Sequence, residues 1–410
     1  MSNLDAPVVY LDVQDYSRFG DVLRGKSDAS TEQLFLDLEK QASAGRVIFP
    51  VSMPVLGELL QYDANFRDTT IHKAEAVERL CGPWALPFPT RLVAAEIVET
   101  ARARGDIPSG DPIALLSSER YWYPNVSVEF GGLRDELRRV ANEQLAAAQL
   151  PSRQLRRRAK RFARTVDLAA VAEAAAPEAA EKFGLPQSAV TESFVALLRG
   201  RVTPEVASRR LFQTIAEPVR FVELYFERLE TDRSLPDWMK KAGADFQALF
   251  IRLREDLQPL LVGDFGQVIR KEMFEYWPVS AGKAVLKMGY EDCREFGIDP
   301  LLVPVLVDNE GFAESVPAAR ITGMLIAAYA RQVVGLSATG AKIEHSFGGD
   351  LVHALYLPHV DLWRGDRRFS ALIADAMPGY ASRVVSKLAA LPAAIDDWHS
   401  KQERVRSVLP

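Results

Sequence analysis

The sequence predicts an α/β domain with a short, mostly parallel sheet, interrupted by a large all-helical insertion. Three observations lead there. Short apolar runs that end in an acid and pass into a helix occur near both ends of the chain. Gly105, Pro108, Gly110 and Pro112 punctuate the chain, and the pattern beyond them becomes almost wholly helical. After Gly340 the alternation of strand and helix returns. The expected parts are therefore residues 1–105, 106–338 and 339–410, with the first and last forming one domain. Such a split costs little entropy when the two ends of the insertion lie close together.

Val8, Val9, Tyr10 and Leu11 read as a buried strand that delivers Asp12 at its C-terminal end. Tyr16 to Gly20 reads as a connection, and Thr31 to Ala44 as an amphipathic helix with Leu34, Leu38 and Ala42 in one stripe. Arg46 to Pro50 gives a second short strand, after which Ser52 begins a helix whose second turn presents Glu58. Helices over Thr70 to Leu80 and Thr90 to Arg104 complete the N-terminal part. Right-handed crossovers pair the two strands in parallel and bring Asp12 and the Ser52 to Glu58 segment to the same end of the sheet.

In the middle, Phe246, Leu249, Phe250, Leu253 and Leu257 repeat at helical spacing, as do Phe221, Leu224, Tyr225 and Leu229. Thr203-Pro204-Glu205 marks a helix start. The Ala-rich run from Leu168 to Lys182 reads as a helix interrupted at Pro177. Leu301 to Val307 is the one strand-like stretch, and Pro304 demotes it to an edge strand or extended connector. The aromatics here, Trp238, Tyr276 and Trp277 among them, fit a core better than a ligand platform.

Near the C-terminus the pair Gly348-Gly349 reads as a chain break, with Asp350 capping a helix that carries Leu351, His353 and Leu355. Val360 to Trp363 follows as a buried strand and leaves through Arg364, Gly365 and Asp366. A helix over Arg368 to Ala376, a short strand over Arg383 to Ser386 and a final helix over Leu391 to Arg404 close the domain. Asp12, Glu58, Asp350 and Asp366 thus stand at the ends of strands or the starts of helices, where open α/β sheets bind ligands. Converging carboxylates repel unless cations sit between them, and hard oxygen donors suit Mg²⁺ or Mn²⁺.

These residues resemble a known family. The YLD of the first strand, the S-x5-E from Ser52 to Glu58, the D-x-x-H-A from Asp350 to Ala354 and the closing RGDRRF look like the signature acids of PIN-like nucleases. The resemblance covers about the first hundred residues and the last seventy, and leaves the long middle aside. It implies a PIN-like three-layer domain and a metal-dependent ribonuclease. The catalytic and metal-binding residues would be Asp12, Glu58, Asp350 and Asp366, with His353 and Asp15 as nearby candidates. The chain departs from the family pattern at Gln14, which Asp15 follows.

Composition bounds these expectations. With 410 residues and 48% apolar side chains the chain is long enough for two or three cores. Cys81 and Cys293 are its two cysteines, which give neither a disulfide framework nor a thiolate metal site and fit a reducing cytoplasm. The N-terminus lacks the pattern of a secretory signal. The apolar run from Ile321 to Tyr329 is too short to span a bilayer, so no membrane partner is expected. A formal net charge of −5 excludes a broadly basic surface, but phosphate attraction acts locally, within about 10 Å at moderate salt. Arg153, Arg156, Arg157, Arg158, Lys160, Arg161 and Arg164 form a run of seven cations without an acid. It reads as a nucleic-acid-binding strip, for RNA in preference to single-stranded DNA, or else as a solvated helix face or a contact for acidic partner residues.

Two other readings stand beside the nuclease. Glu344, His345, Asp350, His353 and His359 form a local nitrogen and oxygen donor set that could hold a transition metal for hydrolysis, though without H-E-x-x-H spacing. Alternatively, the chain is an inactive PIN-like module that binds RNA or protein through its helical insertion. The sequence leaves homo-oligomers and a regulatory protein partner open. Walker and G-x-S-x-G patterns are missing, which removes support for nucleotide-driven and serine-hydrolase chemistry.

Overall fold

The computed structural model describes residues 5–61, 63–124, 167–183, 185–230, 266–334, 343–344 and 346–408, with isolated positions between 125 and 166 and between 231 and 265. The chain forms two compact units, one of residues 1–122 with 221–410 and one of residues 123–220. Residues 221–338, which the sequence pattern assigns to the helical insertion, group with the unit that carries the sheet.

That unit is built on three short parallel strands, β1 (Val9–Tyr10), β2 (Leu362–Arg364) and β3 (Val384–Val385), in the order β1-β2-β3. Val9 faces Leu362, Tyr10 faces Trp363, and Arg364 faces Val385. On the other side of β1 single parallel bridges continue the sheet, Val8 to Ile48 and then Val51 to Ala85. The lateral order therefore runs outward in both directions from β1. Chain order reverses between β1 and β2, and such a reversal opens a crevice at the carboxyl ends of the strands. Val9, Tyr10 and Leu11 are all buried, as expected of a parallel sheet covered on both faces.

The layers come from α1 (Val13–Leu23), α2 (Ala29–Ser43), α3 (Met53–Leu59), α4 (Arg67–Cys81) and α5 (Pro89–Arg104). From the C-terminal part come α6 (Pro317–Val334), α7 (Phe347–Ala354), α8 (Arg367–Ala376) and α9 (Leu391–Val408). Phe19 of α1 packs on Phe35 of α2 with ring centroids 5.0 Å apart. Glu96 of α5 is buried; its Oε2 accepts from the Ala318 amide at 2.6 Å and its Oε1 pairs with His359 Nε2. One carboxylate thereby ties α5 to the start of α6 and to the turn before β2. Its two partners offset the desolvation of a buried charge.

The second unit contains the helix Leu168–Phe183, which runs through Pro177, and the helix Pro204–Gln213, where Thr203 caps by accepting from the Val206 amide. Tyr123 and Phe212 stack within it at 5.0 Å.

Four sequence expectations need correction. Tyr16 to Gly20 is helix, inside α1, because Tyr16, Phe19 and Gly20 supply a buried face. Asp28 caps α2 through the Thr31 amide at 2.8 Å, so the helix starts at Ala29, two residues before the expected start. Val303–Asp308 is helical, with Pro304 in the first turn where its missing N–H is harmless. Asp350 is not a cap. It lies inside the first turn of α7, whose N-cap is Ser346, and Gly348 and Gly349 belong to that helix. Among the described residues no helix is long and apolar enough to cross a membrane.

Candidate metal centre

Asp12 and Ser52 stand at helix N-cap positions but do not cap. Asp12 follows β1 and Ser52 follows the Val51 bridge; each has the extended backbone of an N-cap, and neither side chain makes a capping hydrogen bond. Forgoing such a cap typically costs ~1 kcal/mol. The Ser52 hydroxyl instead meets Tyr10 Oη at 2.9 Å, and Tyr10 Oη meets His353 Nδ1 at 2.6 Å. All three side chains are buried. The Asp12 carboxylate turns to the same place. One ligand atom each from Asp12, Glu58 and His353 lies within 4.8 Å of the others.

Glu58 reaches this point because Gly349 carries no side chain. A Cβ there would lie 2.7 Å from Glu58 Oε1, which approaches His353 Nε2 to 3.3 Å. His353 Nε2 is buried and has no hydrogen-bond partner in good geometry. Asp350 lines the same cleft with Tyr10, Asp12, His353, Trp363, Arg364 and Gly365. The sequence-predicted Asp12, Glu58, Asp350 and His353 thus come together.

Asp366 has a second duty. Its carboxylate caps α8, with Oδ1 accepting from the Arg368 amide at 2.6 Å and the Phe369 amide at 3.0 Å, yet its charge still acts on Asp350. Asp15 is fully buried in α1 and pairs with Arg364 of β2 at 3.1 Å.

The alternative donor set is dispersed. Glu344 pairs with Arg368 at 2.7 Å, His359 is taken up by Glu96, and His345 lies outside the described residues. Of the basic run, Arg157 and Arg161 are exposed in the second unit, and Arg153, Arg156, Arg158, Lys160 and Arg164 lie outside the described residues.

Crowding shifts these acids and bases. Burial, then the charges of Asp366, Glu58 and Asp12, push Asp350 up to about 8 despite the opposing pull of His353. Burial likewise raises Asp12, with Glu58 adding to it and His353 opposing. Burial would lower His353, but Glu58, Asp12 and Asp350 outweigh it and lift the imidazole to about 9. Burial would raise Glu58, but His353 holds it below the usual carboxylate value. Burial pushes Asp15 up to about 7, although Arg364 pulls the other way. With both ring nitrogens of His353 protonated, Nδ1–H donates to Tyr10 Oη and the Tyr10 hydroxyl can donate on to Ser52 Oγ.

These shifts set a pH dependence. The folded state holds protons on Asp350 that the unfolded chain releases from about pH 4 upward, so that contribution falls as pH rises to about 8. The His353 contribution is present in full below its ordinary value of 6.5 and is lost as pH rises through about 9. Both slopes have the same sign. The metal-free protein is therefore expected to melt several degrees lower at pH 9 than at pH 6 in matched-buffer calorimetry, and an unchanged or rising melting temperature would contradict the assignment.

Sequence reasoning missed Tyr10 and Arg364 as site residues. Tyr10 sits two positions before Asp12 and Arg364 two before Asp366, and in extended chain alternate side chains share a face. That spacing was the available signal. No family model, curated protein or solved structure matches the chain.

A variant separates this site from the fold. Gly349→Ala would meet only the flexible end of Glu58, so the melting temperature is expected to stay within a few degrees while Mn²⁺ affinity drops about tenfold, the scale for disturbing a ligand's support. Unchanged affinity by calorimetric titration would show that Glu58 is not a ligand.

Proposed function

We propose that the chain is a divalent-metal-dependent phosphodiester hydrolase with PIN-like architecture, acting in the cytoplasm on RNA in preference to single-stranded DNA. The observation that carries the reading is the approach of Asp12, Glu58 and His353 to within 4.8 Å at the point where strand order reverses. The residues fit a cation on their own chemistry. His353 Nε2 is buried without a hydrogen-bond partner, and Asp12 forgoes its cap. Asp350 faces the same cleft, where burial and the neighbouring acids disfavour its ionised form and a cation would restore it. Asp12, Glu58 and His353 would hold the ion, with Asp350 beside them. A donor set of carboxylates with one imidazole suits Mn²⁺, with Mg²⁺ as the physiological alternative.

A bound cation supplies a more acidic water and polarises a phosphoryl oxygen. The chain's own residues do the rest. The Tyr10 hydroxyl, anchored by Ser52, fixes the His353 ring and selects which nitrogen faces the ion. Burial of Tyr10 keeps its phenol neutral, so it remains a hydrogen-bonding partner in both protonation states of His353. Asp366 stands beside Asp350 at the start of α8, where it adds to the acidic wall.

RNA is preferred because the four acidic motifs resemble those of PIN-like ribonucleases. The test is cleavage of labelled single-stranded RNA and DNA by the full chain with Mn²⁺, Mg²⁺ or chelator, beside Asp12→Asn. Metal-dependent cleavage of RNA by the wild type alone is expected. Equal cleavage by both proteins, or none by either with any divalent ion, would overturn the reading.

A further inference from the structure

Arg364 is the one guanidinium lining the acidic cleft among the described residues. Its side chain is only 4% exposed. Nη2 pairs with Asp15, but Nε and Nη1 are buried without a hydrogen-bond partner. Those two nitrogens carry three N–H groups. Leaving buried donors unmatched is costly, and a group in that condition calls for an acceptor. Both Asp15 carboxylate oxygens also lack a hydrogen bond of good geometry, so the pair is held by charge rather than by a closed fork. The Arg364 charge acts on Asp12 as well, which sets the guanidinium beside the candidate metal ligands.

We infer that Arg364 is a phosphate-binding residue of this cleft and that its ligand is a singly charged phosphodiester. This rests on the hydrolase reading above and names the group that reads its substrate. The free N–H groups of Arg364 donate to a non-bridging oxygen of the diester while Asp15 fixes the guanidinium from α1. A monoanion suits the place. The carboxylates of Asp12, Glu58 and Asp366 repel a dianionic monoester more than a diester, and one free guanidinium edge matches one anionic oxygen group. The bland role of Arg364, a tie between α1 and β2, accounts for Nη2 but leaves Nε and Nη1 unexplained.

The experiment titrates the full chain with dimethyl phosphate and, separately, inorganic phosphate. Binding is read by phosphorus NMR in chelator, with Mn²⁺ binding read in parallel by electron paramagnetic resonance. The wild type is expected to bind dimethyl phosphate more tightly than inorganic phosphate. Arg364→Lys and Arg364→Gln are expected to weaken dimethyl phosphate binding about tenfold, the size of losing a charge-assisted hydrogen bond. In cleavage assays the same variants should raise KM more than they lower kcat.

Circular dichroism checks that the variants fold. Should neither do so, Asp15→Asn decides: it leaves Arg364 in place, keeps an oxygen that can accept from Nη2 and removes the carboxylate charge that competes with a bound anion, so tighter dimethyl phosphate binding is expected, and equal or weaker binding overturns the inference. Wild-type affinity in a folded Arg364 variant overturns it too, as does absence of wild-type binding. Tighter binding of inorganic phosphate overturns the diester assignment. Loss of Mn²⁺ binding with Arg364-dependent phosphate binding intact would instead count against the metal reading alone.

Discussion

Asp12→Asn is expected to lower Mn²⁺-stimulated RNA cleavage by roughly 10³-fold, the upper range for losing one positioned charged group in a catalytic site. Asparagine keeps the shape and the N-cap backbone but removes the charge that would hold the ion. The effect on the fold runs the other way. Burial and Glu58 disfavour the ionised form of Asp12, so a neutral side chain relieves repulsion in the metal-free protein. The melting temperature without metal should therefore hold or rise while Mn²⁺ binding is lost. Cleavage within threefold of wild type would remove Asp12 from the site, and a large drop in melting temperature would show that its role is structural.

His353→Gln has the second-largest expected effect, and it falls on stability as well as on metal binding. The imidazolium is the counter-charge nearest Glu58, and without it Glu58 is left facing Asp12 with its charge unpaired. Breaking a buried pair from one side costs about 3 kcal/mol; Glu58 keeps 30% exposure, so about 2 kcal/mol is expected here at pH 7. Adding Glu58→Gln should restore part of that loss, because the second change removes the charge the first left unpaired. A double-mutant cycle by urea denaturation without metal checks this. Strictly additive losses would mean that His353 and Glu58 do not interact.

Much of the sheet end was legible because short apolar strands advertise where they stop. Val8 to Leu11 located Asp12, and the Ser52 start located Glu58. The one-turn spacing of Asp350 and His353 put both in the same cleft. The Gly348-Gly349 pair misled, since glycine usually breaks helices. Here Gly349 stays helical and leaves room for a carboxylate from α3 some 290 residues earlier in sequence, a contact no local pattern encodes. Arg364 was hidden for a similar reason. An arginine leaving a strand reads as solvated, and only the arrival of Asp15 from α1 and the crevice beside β1 make it a buried, half-partnered group. Pro304 shows the converse, where a residue that excludes a central strand also starts a helix, and the β-branched neighbours tipped the reading toward the wrong one.

Asp12, Glu58 and His353 would together hold one divalent cation. Anomalous diffraction from crystals soaked in Mn²⁺ tests it most directly. A peak within about 2.5 Å of a carboxylate oxygen of Asp12 and of Glu58 and of His353 Nε2 is the predicted result, close to first-row metal–ligand distances. Well-ordered crystals in which these three side chains keep their positions and no peak lies among them, at Mn²⁺ concentrations that support cleavage, would contradict it.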